Sequence, residues 1–383
     1  MSAGRRYGRR ALAPAALLAF VAGCPDTDGG DDSPPPTPDE VDDFDAAPIA
    51  APREPADAAF AAPEDDAELP VVVLPPAPSV PPPPPGLPAT PSPPHTPTTP
   101  EKVALGELLF FDPRLSASGE MSCASCHDPA AGFAHGVRRS RTQSGSTNRR
   151  HTPSLWNAGY ASAWFWDGSA DTLEGAIDSN WRGQMAPDPF AVSAALHANP
   201  TYRAHFERAF DDLASPDRIA EALAAYVRTL RSGDAPWDRY ERGDEAAVSE
   251  AAVRGFRLFS GRAQCAVCHP PPLYSDRRYH RTGARGPDSP ADPGRYRVTG
   301  DASDRGALRT PSLRGIVHTG PYFHDGSAET LEEAVRIMAS GGRDGRGQDL
   351  EPVALSDEDV ADLVEFLRAL SPGLPDHEFP ELP

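Results

Sequence analysis

Met121-Ser122-Cys123-Ala124-Ser125-Cys126-His127 reads C-x-x-C-H. That spacing is the attachment signature of a c-type haem. Two thiols reach one porphyrin edge as thioethers, and the His that follows is carried under the ring, where its imidazole binds iron. The signature returns as Cys265-Ala266-Val267-Cys268-His269. Zinc is the alternative for paired C-x-x-C sites, but each pair here ends in His and the pairs lie far apart. With five Cys and 11 His in 383 residues, two accidental matches are too rare to entertain. The chain therefore predicts two covalently bound haem c groups.

Outward from these motifs, the body is written twice. Thr152-Pro153-Ser154-Leu155 and Phe165-Trp166-Asp167-Gly168-Ser169-Ala170 return as Thr310-Pro311-Ser312-Leu313 and Phe323-His324-Asp325-Gly326-Ser327-Ala328. Both anchors are offset by 158 (310 − 152 and 324 − 166), whereas the Cys pairs are offset by 142 (265 − 123). The second copy thus carries an insert after its haem motif, the Arg/Gly/Asp-rich stretch around 276–306. The pattern is an internal duplication of one haem domain.

Helix signals fit a small cytochrome c. Val103, Ala104, Leu105, Leu108 and Leu109 precede the first motif, and Val253, Phe256 and Phe259 the second. Ser215-Pro216 is an N-cap with Pro at the first helical position, opening a face of Ile219, Leu223, Tyr226, Val227 and Leu230. Ser356 caps a closing helix with Val360, Leu363, Val364, Leu367 and Leu370 facing in, and Pro372-Gly373 stops it. Alternating strand patterns are scarce. The expected fold is mainly α, with two cytochrome c-like domains over 101–240 and 241–371 and a tail over 372–383.

The N-terminal quarter differs. Arg5, Arg6, Arg9 and Arg10 precede a short apolar run, Ala11 to Val21, and then Val21-Ala22-Gly23-Cys24. This is the pattern of a lipoprotein signal over 1–24, with Cys24 as the lipidated residue. It predicts a membrane-anchored protein at the periplasmic face of the cell envelope. Residues 25–100 hold 24 of the 46 prolines and read as a disordered acidic, Pro-rich spacer. The net charge of −20 divides as +4 over 1–24, −14 over 25–100 and −10 over the rest (−20 − 4 + 14). A mildly acidic body gives no reason to expect nucleic-acid binding.

With these residues in view, positions 101–371 resemble the bacterial di-haem cytochrome c peroxidase family, which includes MauG-type enzymes. The resemblance rests on both C-x-x-C-H sites, Leu105-Gly106, Phe165-Trp166-Asp167-Gly168 and Pro321-Tyr322-Phe323-His324-Asp325-Gly326. It implies that the first haem meets hydrogen peroxide and the second takes electrons from a small redox-donor protein, a cytochrome or cupredoxin. It implies His127 and His269 as proximal ligands and Met338, 14 residues beyond His324, as the axial Met of the second haem. A Met/His pair raises the potential of the iron. It also implies Trp166 as the aromatic between the haems, calcium held by Thr319, Pro321 and His151, and a homodimer as the family habit.

Two positions depart from the family pattern. The residue 16 beyond His127, where typical members carry a distal His, is Gln143. The Glu-Met pair that moves a proton between peroxide oxygens is Gln184-Met185. An amide hydrogen-bonds but does not relay a proton. Asp178, Asp188, His135 and His151 are the nearby groups able to substitute. Three functions follow: a peroxidase making water, MauG-like oxidation of a partner protein, and a non-catalytic di-haem electron carrier.

Overall fold

The structure, a computed structural model, describes residues 72–374 and 377–383. Cys24 and the leader lie outside the described residues. The fold is mainly helical, and its helices form two bodies around two aromatic-rich cores.

The first body opens on α1 (Pro100–Phe111), whose N-terminus is closed by Thr99 Oγ1 accepting from Lys102 N at 3.3 Å. Four helices follow: α2 (Leu173–Met185), α3 (Pro189–Ala198), α4 (Pro200–Phe210) and α5 (Pro216–Val227). Ser215 caps α5 as expected, its Oγ accepting from Arg218 N at 3.3 Å. Then come the short α6 (Pro236–Glu241), α7 (Glu250–Ser260), α8 (Tyr296–Thr299), α9 (Leu331–Ala339) and α10 (Asp357–Ala369). The predicted inward faces of α5 and α10 are buried throughout.

Each body is built on one close helix crossing. A Cβ on Gly106 of α1 would lie 1.9 Å from Ala222 O and 2.9 Å from Tyr226 Cβ of α5. On Gly255 of α7 it would lie 1.9 Å from Asp362 O and 2.9 Å from Phe366 Cβ of α10. Only glycine lets the backbones approach so closely, and both copies use it at the same place. Trp237 of α6 packs in the second core with Phe256 and Phe366, although it precedes residue 241.

The duplication is visible in the loops. Trp164 pairs with Ala170, and Tyr322 with Ala328, as isolated antiparallel bridges 158 residues apart. Phe165 and Phe323 share positive φ (65° and 70°), so the strained turn is copied with its sequence. The insert is closed at its base: β1 (Tyr279–His280), near its start, pairs antiparallel with β2 (Leu308–Arg309), just beyond its end.

The free spacer expected over 25–100 is corrected for 72–99, which runs along the body. Arg208 donates to the carbonyls of Leu74 and Pro75, Arg231 to Pro81 O at 2.7 Å, and Tyr160 OH to Pro88 O at 2.8 Å. Asp234 N donates to Pro85 O at 2.8 Å, and Arg314 to Gly86 O at 3.1 Å. Such a segment cannot build a core, but it need not. Prolines have no N–H to satisfy, and their carbonyls accept from arginines that the folded body already presents.

Candidate functional site: two haem loops and their junction

Both haem motifs form a single 3-10 turn, Cys123–Ser125 and Cys265–Val267, with the His folded back so that its N–H donates to the first Cys carbonyl at 2.9 Å. His127 Nδ1 donates to Phe133 O at 2.9 Å, and His269 Nδ1 to Tyr274 O at 2.8 Å. That bond fixes the tautomer and leaves Nε2 with its lone pair. Burial pushes His127 down to about 4 and lowers His269, so both rings are neutral at pH 7 and suited to bind iron. Among the described residues none of the four motif cysteines is in a disulfide, and burial raises the Cys123 thiol to about 12 and that of Cys265 to about 11. Paired thiols beside a locked, neutral imidazole fit a c-type haem in each loop. Cys268, Asp276 and His280 place ligand atoms within 4.8 Å of one another, but Cys268 belongs to the haem motif and Asp276 is bonded to His280.

Gln143 and Gln184 are brought together: Gln143 N donates to Gln184 O at 2.8 Å. Gln143 Oε1 accepts from Ser118 Oγ at 3.1 Å. Gln184 Oε1 is buried without a partner among the described residues. The four substitute groups are otherwise engaged. Asp178 pairs with Arg182 at 2.8 Å, and Asp188 caps α3. His135 Nδ1 meets Ser140 Oγ at 2.6 Å. His135 and His151 both lie close enough to His127 for their charge to disfavour its protonation. Met338 is half-buried and packs against the cluster of Ala284, Ala328 and Ile337, while its counterpart Asn180 (338 − 158) is exposed on α2.

The two copies meet by exchanging equivalent bonds. His151 N donates to His324 O at 2.6 Å, and Arg309 N to Trp166 O at 2.7 Å. Positions 151 and 309, and 166 and 324, are the same places in the two copies. Trp166 and His324 face each other with ring centroids 6.4 Å apart, and Trp166 Nε1 donates to His151 O at 2.9 Å. Arginines cross reciprocally: Arg138 donates to Asp325 O at 3.1 Å, and Arg295 to Asp167 O and Gly168 O at 3.0 and 2.8 Å. Arg150 bridges buried Asp167 and Asp292 of the insert, 2.7 Å from each. These partners were not predicted, though the 158 offset already matched Trp166 to His324. Trp156 is a further aromatic between the copies, 6.5 Å from Phe133 and 5.7 Å from His318.

The residues implied for calcium do not fit that ion. His151 is buried, and its Nδ1–H is shared between Val137 O (3.2 Å) and Arg138 O (3.3 Å). Burial lowers its pKa against the pull of the Arg138, Val137 and Thr319 carbonyls. A hard cation wants oxygen ligands; Thr319 and Pro321 would offer backbone carbonyls, whereas His151 offers an imidazole nitrogen in place of a side-chain oxygen.

The fold and the two motifs define a two-domain, di-haem c-type cytochrome. Residues 100–246 match the family model for di-haem cytochrome c peroxidase, and 252–371 that for cytochrome c. The chain is 37% identical over 319 residues to a cytochrome-c peroxidase, IdrP1, of Denitromonas iodatirespirans, spanning 74% of this chain and 85% of that one. It is 38% identical over 295 residues to the methylamine utilization protein MauG of Methylorubrum extorquens, spanning 74% and 82%. A solved MauG-like protein associated with microbial copper homeostasis superposes with a TM-score of 0.68 at 31% identity, over 77% of this chain and 95% of that one. The chain belongs to the di-haem cytochrome c peroxidase family.

Proposed function

We propose that the protein reduces hydrogen peroxide to water, taking two electrons from a small redox protein and two protons from solvent. The haems, held by thioethers at Cys123/Cys126 and Cys265/Cys268, would supply iron centres that change oxidation state. The observation that carries this reading is the asymmetry at equivalent positions: α9 offers half-buried Met338 where α2 has exposed Asn180. Met338 with His269 would hold the second centre closed to ligands and suit it to electron entry, while His127 alone would hold the first and leave it open to substrate. Trp166 would pass electrons across; in support, it stands at the junction with its indole N–H donated to the His151 carbonyl. Gln143 and Gln184 would bind peroxide through their amides.

Peroxide-driven oxidation of a partner protein is the second reading, and Gln143 favours it: an amide in place of the distal His is a poor iron ligand and would leave the first iron open without reductive priming. The leader supports a lipid anchor at Cys24 and a periplasmic place for both readings. No helix among the described residues is long and apolar enough to cross a membrane.

The test is spectroscopic and kinetic. The oxidised protein should show one high-spin and one low-spin ferric signal at neutral pH, and should consume peroxide steadily with a reduced small cytochrome. Two low-spin signals and no consumption would leave only an electron carrier. Modification of a co-encoded protein without steady consumption would select the second reading.

A further inference from the structure

The place before Thr-Pro-Ser-Leu is occupied in both copies by a side chain that donates N–H to carbonyls at the junction. In the second copy Arg309 Nε donates to Phe165 O at 3.3 Å. In the first, His151 Nδ1 serves Val137 O and Arg138 O. Six neighbouring oxygens are spent in the same way. His324 O accepts from His151 N, Trp166 O from Arg309 N, and His151 O from Trp166 Nε1. Asp325 O takes Arg138, while Asp167 O and Gly168 O take Arg295.

The carboxylates are committed too. Asp167 and Asp292 pair with Arg150, and Asp288 with Arg138. Asp325 accepts from Gly286 N at 2.8 Å. A calcium ion gathers six to eight oxygens, and it would have to strip them from arginine and imidazole donors inside a cluster already rich in guanidinium charge. Opposite-sign pairs and shared N–H groups supply here what a bridging cation supplies elsewhere: charge balance and a fixed angle between two domains.

We propose that the junction between the two haem domains is ion-free, with the buried His151 imidazole standing where a bridging calcium would otherwise bind. Its consequence is that the geometry around Trp166 is set by protein groups alone and does not respond to calcium.

The experiment uses the full chain with both haems attached and does not depend on whether peroxide turns over. Elemental analysis after gel filtration should find calcium well below one per chain. Adding calcium after EGTA treatment should leave the haem spectra and the melting temperature unchanged. One retained calcium per chain, or a melting temperature that rises with calcium, overturns the proposal. So does one zinc or copper per chain, which would mean that His151 Nε2, without a partner among the described residues, is a metal ligand. His151→Asn replaces the imidazole with an oxygen donor and should acquire a calcium-dependent rise in melting temperature. A folded His151→Asn protein blind to calcium would equally overturn the assignment. Should that variant fail to fold, the metal content of the natural protein decides.

Discussion

On the proposed reading, the chemistry of the first haem turns on one functional group at position 184. Peroxide bond cleavage requires a proton to leave one oxygen and arrive at the other. Gln184 Oε1 is buried without a partner among the described residues, so the side chain can hydrogen-bond a ligand, yet an amide does not relay a proton. The nearby carboxylates do not compensate, because Asp178 is held by Arg182 and Asp188 by the first turn of α3. Gln184→Glu restores a titratable group at nearly the same volume. General acid–base catalysis contributes on the order of 10²–10⁴-fold, so the variant should consume peroxide at least tenfold faster with a fixed electron donor. An unchanged rate in stopped-flow mixing would show that the proton moves by another route.

At the scale of elements, both domains rest on a glycine at a helix crossing, and the insert rests on a charge clasp. Gly255→Ala would place a methyl 1.9 Å from the Asp362 carbonyl, against backbone that cannot move aside. Overpacking of this kind costs about 1–3 kcal/mol or more, read as a lower urea midpoint with an unchanged slope. The clasp carries a pH signature. Burial alone would raise Asp292, but the hydrogen bond and charge of Arg150, with the Gly294 N–H, hold it below the ordinary carboxylate value. Its stabilisation is therefore fully present above about pH 4, where an unfolded Asp is ionised, and is lost as pH falls through the lower folded value. Asp292→Asn should melt below the natural protein at pH 7, and the gap should close in acid. A gap constant with pH would exclude the ion pair as its source. The same elements show what the sequence made legible. Ser215-Pro216 and Ser356 announce their helices because capping chemistry is local. The 158 offset exposes the duplicated turns because the loop sequences were copied. The clasp was hidden because Arg150 and Asp292 lie 142 residues apart. His151 could be matched to a ligand position, but not seen to spend its Nδ1–H on Val137 and Arg138.

At the scale of the whole molecule, one buried guanidinium joins three parts that composition keeps separate. Arg314, 4% exposed, forms a two-pronged pair with Asp238 of α6 at 2.7 and 2.8 Å. It also donates to Pro272 O in the second haem loop and to Gly86 O in the proline-rich segment. The segment is thereby tied to the connection from α5 to α6, where Asp234 N also holds Pro85 O. Arg314→Met keeps the bulk but strands the Asp238 carboxylate. Breaking a buried pair by removing one partner costs about 3–5 kcal/mol, whereas removing both charges costs far less. The single variant should therefore unfold at a clearly lower denaturant concentration and be cut within 72–99 by limited proteolysis. The Arg314→Met/Asp238→Asn double variant should recover most of the stability. It should still be cut within 72–99, because the Gly86 carbonyl has lost its donor either way. A single variant as stable as the natural protein, or a double variant that resists the protease, would show that the segment is held by its other contacts and that Arg314 does not join it to the haem domains.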